Sequence, residues 1–244
     1  MKITVIGAGA IGGNLARRLS EAGHEVLAAD ARGTEVVAED VVAAGVNPVE
    51  LDSSVLDRDV VVLAVPFGVQ PQLAELLETA PADTIVVDTS NYYPFMLGPN
   101  EAVDNGAVES VWSQEQLGRP IVKAWNAALV ETQREGALPA GDPNRIAIPV
   151  AGDSKAQRTL IMQLVDESGF DPFDAGVLAE SWRQQPGTPA YCTELGMDDL
   201  AVALASADKD ARAATRDRIM AHWMSLESEG SRDEKVAYNR EATR

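Results

Sequence analysis

Gly7, Gly9 and Gly12 form a G-x-G-x-x-G motif that follows a short apolar run near the amino end of the chain. In such a motif the first glycine permits a tight turn, the second leaves room for a diphosphate, and the third lets helix and strand pack closely. The next amides, those of Ala10 and Ile11, would open a helix and attract an anion. A tight turn without a ligand is the alternative. The strand before the motif and the helix after it favour dinucleotide binding.

The segment Asp30-Ala31-Arg32 follows the next apolar run, where its side chains can contact the adenosine ribose of the cofactor. The Asp30 carboxylate can accept hydrogen bonds from ribose hydroxyls and would repel a 2′-phosphate, which favours NAD. The Arg32 guanidinium can clamp such a phosphate, which favours NADP. In the structural alternative, Asp30 caps a turn and Arg32 is a solvated charge. The sequence therefore leaves the choice between NAD and NADP open.

Later apolar runs end in residues that should line the same crevice, because ligands bind at the carboxyl ends of strands in such sheets. The residues predicted to border the nicotinamide half of the cofactor are Val65, Pro66, Phe67, Asn91, Trp125 and Asn126.

No catalytic residue is assigned, but Asn126, Lys123 and Tyr92 are candidates. Lys123 could protonate a carbonyl, although a lone polar residue near the end of a strand is more often structural. The aromatic residues Tyr92, Tyr93 and Trp125 could stack against a flat substrate, or they could only shield the cleft from water.

Apolar runs alternate with segments of helical periodicity in the first half of the chain. The helix after the glycine motif carries Ile11, Leu15 and Leu19 on one face and should end at Gly23. The runs lack polar alternation, which predicts a parallel sheet covered on both faces. We therefore expect an α/β fold, a Rossmann-type doubly wound and mostly parallel sheet. The predicted strands are Ile3–Ile6, Val26–Ala29, Val60–Val65, Ile85–Val87 and Ile121–Ala124.

A smaller C-terminal region, part strand and part helix, should follow the dinucleotide-binding domain of residues 1–143. It covers residues 144–228 and should roof the cleft and supply dimer contacts. Its first strand, Ile146–Ala151, contains Pro149, which predicts an edge position. Beyond it we expect a helix capped by Asp153 or Ser154 and stopped at Gly169, a strand Phe170–Ala175, and two further helical segments. Residues 229–244 carry mixed charge without apolar periodicity, which predicts a mobile or partner-bound tail.

Composition excludes several classes of function. The chain has 244 residues with 20 Lys+Arg against 38 Asp+Glu, a net charge of −18 that argues against nucleic-acid or anionic-membrane partners. Cys192 is the only cysteine, and no apolar run approaches the roughly 20 residues that a membrane span needs. His24 and His222 are isolated, so no metal site is expected. We expect a soluble, cytoplasmic protein acting on a small-molecule redox substrate.

The chain also resembles the NADPH-dependent coenzyme F420 reductases, also called F420H2:NADP oxidoreductases, over roughly residues 1–191. The glycine motif is shared by a much wider superfamily, whereas the later segments are more specific. The segments that carry the resemblance are Val5–Asn14, Gly23–Val26, Val61–Gly68, Val87–Pro94, Val122–Asn126, Val150–Asp153, Gly169–Pro172 and Gln185–Tyr191.

The resemblance implies direct hydride transfer between a nicotinamide and a second redox molecule, such as coenzyme F420 or a small unsaturated or carbonyl compound, in a homodimer. Relatives often carry Asn-Ser-Arg where this chain has Asp30-Ala31-Arg32, so the preference for NADP is open. Two alternatives remain. One is a β-hydroxyacid-type dehydrogenase with an acid such as Lys123, and the other is a redox sensor that binds the dinucleotide without turnover.

Overall fold

A computed structural model of the chain describes residues 1–226 and 230–244, which contain one eight-stranded sheet. The strands are β1 (Lys2–Ile6), β2 (Glu25–Ala29), β3 (Asn47–Val49), β4 (Val60–Leu63), β5 (Ile85–Asp88), β6 (Ile121–Lys123), β7 (Ala147–Gly152) and β8 (Asp171–Gly176). Their order across the sheet is β3-β2-β1-β4-β5-β6-β7-β8, and β1 to β6 run parallel. The order reverses between β1 and β4, which confirms the predicted Rossmann-type fold.

Helices cover both faces of this sheet. Among the described residues they are α1 (Ala10–Glu21), α2 (Glu39–Ala43), α3 (Ala74–Leu77), α4 (Pro94–Leu97), α5 (Glu101–Asp104), α6 (Glu109–Leu117), α7 (Val130–Glu135), α8 (Lys155–Glu167), α9 (Met197–Ser206), α10 (Arg212–Met224) and α11 (Arg232–Ala242). As predicted, α1 buries Leu15 and Leu19, and the chain turns at Gly23 with a positive φ of 92°. None of the helices in the described ranges is long and apolar enough to cross a membrane.

The central strands are buried on both faces, as their unbroken apolar runs predict. Every residue of β4 is fully buried between two hydrophobic clusters, one on each side of the sheet. The strand ends at Leu63, two residues before the predicted end, because Ala64 and Val65 turn into the crevice at the carboxyl end of the sheet. The short edge strand β3 was not predicted, since its three residues include Pro48 and no apolar run.

The prediction that Pro149 places its strand at a sheet edge is wrong. β7 lies between β6 and β8 and runs antiparallel to β6. On the β6 side, β7 is paired only at Ala151 and Gly152, so no strand lies opposite Pro149 there. The missing N–H of the proline therefore costs no hydrogen bond between strands. On the other side Pro149 pairs with Phe173 of β8. The proline therefore lies at a local edge within an internal strand.

The strands of the predicted C-terminal region, β7 and β8, belong to the same sheet as β1 to β6 and extend it beyond β6. Ser154 caps α8 by accepting a hydrogen bond from the Gln157 amide, as one of the two predicted caps. A small cluster that includes Ala147, Leu200 and Leu204 joins β7 to α9. The division into residues 1–143, 144–228 and 229–244 stays a prediction.

Residues 230–244 differ from the expected tail, because Arg232–Ala242 form α11 (Glu229 lies outside the described residues). Ser231 and Glu234 make a capping box, in which each side chain hydrogen-bonds the backbone amide of the other. Asn239 donates to the Cys192 carbonyl at 3.1 Å, and Val236 is buried. The helix packs through few apolar side chains and several polar ones, which is why hydrophobic periodicity did not reveal it.

Ser231→Ala should lower the free energy of unfolding by about 1 kcal/mol, because it removes the N-cap of a docked helix. The measurement is urea unfolding followed by circular dichroism. Ser206→Ala is the matched control, since Ser206 is exposed and its hydroxyl bonds only the Ala203 carbonyl. Equal unfolding midpoints for both variants and the wild type would mean that the Ser231 cap contributes nothing to stability.

Candidate functional site

The turn between β1 and α1 depends on the absence of side chains at two glycines. Gly7 has a positive φ of 100°, and its amide donates to the Ala29 carbonyl at 2.8 Å. A Cβ on Gly12 would lie 1.8 Å from the Gly7 carbonyl oxygen, which no side chain can do without moving the backbone. The helix therefore starts in direct contact with the end of the strand, as the motif predicts.

A dinucleotide fits the amino end of α1. The first hydrogen bond of the helix runs from the Gly13 amide to the Gly9 carbonyl at 2.7 Å, so the amides of Ala10 and Ile11 precede the helical ladder. Gly9 is the N-cap and offers no capping side chain, and a Cβ there would meet no atom within 4 Å. Free amides, a positive helix end and open space are what an anionic diphosphate requires.

Asp30 and Arg32 form one unit beside this turn. The Asp30 carboxylate accepts hydrogen bonds from the Ala8 amide at 2.8 Å and from the Arg32 Nε at 2.8 Å. The hydrogen bond from the Arg32 side chain, together with those from backbone amides, holds the pKa of Asp30 well below its usual range despite partial burial. The carboxylate is therefore anionic, and the guanidinium that could clamp a phosphate is already paired with it.

A cleft of about 780 Å³ runs along the carboxyl ends of the strands. Its wall contains all the predicted cofactor-binding residues except Gly12, which lies beneath it: Gly7, Gly9, Ala10, Ile11, Asp30, Ala31, Arg32, Val65, Pro66, Phe67, Asn91, Trp125 and Asn126. The structure thus brings together residues that are predicted from separate strand ends, and we call this space the cofactor cleft.

Asn126 stands at the far end of the cofactor cleft in a closed network of amides. Its Nδ2 donates to Asn91 Oδ1 at 3.0 Å and to the Gln184 carbonyl at 2.9 Å, and its Oδ1 accepts from Gln184 Nε2 at 2.9 Å. These bonds occupy the side chain from several directions and hold it in one orientation. The network therefore fits a rigid wall for a ligand better than a group that exchanges protons.

Lys123 lies below the cofactor cleft and is not part of its lining. Its fully buried ammonium pairs with Asp88 at 2.7 Å and also donates to the Ser90 carbonyl. Asp88 in turn accepts from the Ser90 amide at 2.8 Å and from Gln70 at 2.5 Å. A buried charge needs such partners, and this set ties the ends of β5 and β6 together.

Tyr92 is not part of the lining of the cofactor cleft either. Its hydroxyl donates to Asp104 at 2.9 Å and accepts from the Asn100 amide at 2.7 Å. Its backbone amide donates to the buried Glu109, which pairs with Arg212 of α10 at 3.0 Å. Burial raises the pKa of Glu109, and Arg212 opposes that rise. The Tyr92 segment is therefore anchored to the C-terminal helices.

The neighbouring Tyr93 does line the cofactor cleft. Trp125 borders the cleft as well, but its indole is buried and donates to Ser168 Oγ at 3.3 Å. Of the three aromatic residues considered for stacking, Tyr93 is the one whose side chain lies beside open space.

A second cavity of about 600 Å³ adjoins this end of the cofactor cleft, and the sequence did not predict it. The two spaces share a wall of Tyr93, Leu129, Val130, Tyr191 and Cys192, which we call the common wall. The remaining residues of this second cavity are Glu131, Pro186, Gly187, Arg216, Ile219, Met220, Trp223, Met224, Lys235 and Asn239. They come from segments far apart in the chain, so spacing gave no signal for them.

The second cavity is mainly apolar, and its charged residues are paired. Lys235 binds Glu131 at 2.6 Å, and Arg216 binds Asp217 at 2.8 Å. Burial raises the pKa of the Cys192 thiol to about 12, so this group is a neutral thiol at physiological pH. The site is therefore a cleft in which the turn amides and the Asp30–Arg32 pair supply polar groups that fit an anionic dinucleotide, joined to an apolar space that fits a neutral molecule.

Known proteins resemble this chain in sequence and fold. Residues 2–92 match the family described as NADP oxidoreductase, coenzyme F420-dependent, which confirms the predicted resemblance over that part. A hypothetical protein from Sinorhizobium meliloti, SMa0349, is 29% identical with a TM-score of 0.68, covering 80% of this chain and 95% of that one. The crystal structure of a "putative f420 dependent nadp-reductase" from Arthrobacter sp. FB24 is 23% identical with a TM-score of 0.59, covering 74% and 87%.

A curated relative, "Putative protein YjhV" of Escherichia coli (strain K12), is 53% identical over 57 residues. The alignment covers 23% of this chain and 42% of that protein, so the chain spans less than half of the relative. The family match falls on the first part of the Rossmann-type sheet, which contains the glycine turn and Asp30.

Gly12→Ala should weaken NAD(P)H binding by about tenfold or more, because its Cβ would force the helix away from the Gly7 carbonyl. The measurement is titration of nicotinamide fluorescence. Gly13→Ala is the matched control, since its Cβ would come no closer than 3.4 Å to Val41 and makes an ordinary contact. It should keep the wild-type affinity and gain up to about 1 kcal/mol of stability from helix propensity. Equal affinities for the two variants would contradict the proposed role of the turn.

Proposed function

We propose that the protein transfers a hydride between NAD(P)H in the cofactor cleft and a second small molecule in the second cavity. The observation that carries this proposal is the common wall, because it puts the two spaces in contact. Tyr93 of this wall follows β5, which lies on the other side of β1 from β2 and Asp30. Hydride transfer requires two molecules held against each other in a fixed orientation, and the protein contributes that placement. Gly7, Gly9 and Gly12 would hold the diphosphate, while Asn126 and Pro66 would border the nicotinamide ring.

The family match covers residues proposed to bind the nucleotide and none of those that line the second cavity. It ends at residue 92, and every residue that lines the second cavity follows that position. The identity of the hydride acceptor is therefore a property of residues outside the match. The proposal includes two kinds of hydride acceptor, a deazaflavin carrier such as F420 and a small unsaturated or carbonyl compound.

The alternatives have less support from the geometry. A β-hydroxyacid-type dehydrogenase that uses Lys123 as its acid has less support, because Asp88 holds Lys123 beneath the cleft. A sensor without turnover needs no second space beside the nicotinamide, whereas the second cavity measures about 600 Å³. The homodimer and the cytoplasmic location stay predictions.

Oxidation of NADH and NADPH against a panel of acceptors tests the proposal. The panel contains F420, flavins, quinones, imines and small carbonyl compounds, and the measurement is loss of the nicotinamide absorbance. We expect steady-state turnover with at least one acceptor class. Tight binding of the dinucleotide without oxidation by any member of the panel would contradict enzymatic hydride transfer and favour the sensor.

NADH is the cofactor we propose as preferred, because an anionic carboxylate at Asp30 would face a 2′-phosphate. Asp30→Ser should raise the affinity for NADPH relative to NADH by about tenfold, since it removes that charge and frees Arg32. Titration calorimetry with both cofactors gives the ratio. Asp40→Ser, which removes an exposed carboxylate from α2 outside the cleft lining, is the control and should leave the ratio unchanged. An unchanged ratio in Asp30→Ser would refute the assigned role.

A further inference from the structure

Two tyrosine hydroxyls meet at the common wall. Tyr93 donates a hydrogen bond to the Tyr191 hydroxyl at 2.9 Å, although the two residues are 98 positions apart in the chain. Tyr93 follows β5 directly before α4, and Tyr191 belongs to the loop before α9. Both side chains line the cofactor cleft and the second cavity. The fold thus brings two phenols to the place where a reduced nicotinamide and its acceptor would touch.

The phenols are the strongest hydrogen-bond donors of the common wall. Leu129 and Val130 are apolar, and the Cys192 thiol is a weak donor and acceptor. Two phenols joined by one hydrogen bond carry two hydroxyl hydrogens, so one hydrogen is left for another acceptor, and it is that of Tyr191 when Tyr93 donates. Burial raises the pKa of both tyrosines, so both hydroxyls carry their protons at neutral pH. A polar atom of a bound substrate would be a better acceptor for Tyr191 than the Cys192 sulfur.

The chemistry of the second cavity limits what that substrate is. Ile219, Met220 and Trp223 of α10 present apolar surface, and the nearby Lys235 ammonium is neutralised by Glu131. The other cation of the lining, Arg216, is paired with Asp217. An anionic substrate would therefore find no unpaired cation among the described residues of this lining, whereas a neutral molecule would bury apolar area at little cost.

The geometry points to Tyr191, supported by Tyr93, as the proton donor for reduction of a neutral apolar ketone or imine bound in the second cavity. This inference rests on the proposed function and names its substrate class. The dihydronicotinamide supplies a hydride, with its electron pair, to the carbon of the C=O or C=N bond. The π electrons of that bond move to oxygen or nitrogen, which takes the proton of Tyr191. Tyr93 then passes its proton to the Tyr191 phenolate, and a proton from bulk solvent returns to Tyr93, so that the net reaction consumes one proton and leaves the dinucleotide oxidised.

Two substitutions and two probe substrates test the assignment. Tyr191→Phe and Tyr93→Phe each remove one hydroxyl, and trifluoroacetophenone and a methylpyrroline are the ketone and imine probes. Tyr238→Phe is the matched control, because Tyr238 stacks on His222 at 3.9 Å and lines neither space. The readouts are kcat, KM, the solvent deuterium isotope effect on kcat, and the Kd of the reduced cofactor by fluorescence.

Tyr191→Phe should lower kcat by about 100-fold or more, the usual contribution of a general acid. Tyr93→Phe should lower kcat less, because the donor itself remains, and Tyr238→Phe should keep the wild-type value. The cofactor Kd should stay within about twofold in all three variants, since none of these hydroxyls contacts the diphosphate site. The solvent isotope effect of the wild type should change in Tyr191→Phe, which a purely structural role would not produce.

Each contrary result has a distinct meaning. Wild-type kcat in Tyr191→Phe with both probes would overturn the assignment of the proton donor. Turnover by the wild type with F420, flavins or quinones, but with neither probe, would overturn this inference and leave the proposed function standing. Failure of the wild type to bind either reduced cofactor would overturn both.

Discussion

The contact between Gly12 and the Gly7 carbonyl is the constraint on which the rest of the site depends. It brings the first turn of α1 against the end of β1 and points the amides of Ala10 and Ile11 into the cleft. Any side chain at position 12 would separate the two elements, because its Cβ would lie 1.8 Å from a backbone oxygen. The positive helix end and the open space at Gly9 take their positions from this approach, and Asp30 at the end of β2 joins them by accepting a hydrogen bond from the Ala8 amide.

The other end of the site is held by buried polar groups instead of glycines. Lys123 and Asp88 join the ends of two central strands, and Glu109 and Arg212 connect the following loop to α10. A buried ion pair contributes little net stability, but losing one partner leaves an uncompensated charge. Such pairs therefore fix the loop that carries Tyr93 without taking part in the chemistry.

The sequence predicted those parts of the molecule that depend on local patterns. The glycine spacing, the unbroken apolar strands and the run Asp30-Ala31-Arg32 are short motifs, and the structure brings them into one cleft. The second cavity depends on contacts between distant segments, so the resemblance of Gln185–Tyr191 to a known family did not reveal that Tyr191 would meet Tyr93 and Trp223 there. α11 has a local signal, the Ser231-x-x-Glu234 capping box, but its sequence lacks the apolar periodicity by which the other long helices are predicted. The edge position predicted from Pro149 was wrong because an internal strand can contain a position that is unpaired on one side, and Pro149 is at such a position.

A crystal structure of the protein grown with NADH tests the central claim most directly. We expect diphosphate oxygens within hydrogen-bond distance of the Ala10 and Ile11 amides, and the reduced nicotinamide ring against the common wall beside Tyr191. A dinucleotide bound away from the amino end of α1, or one whose nicotinamide ring points away from the common wall, would contradict the proposed site.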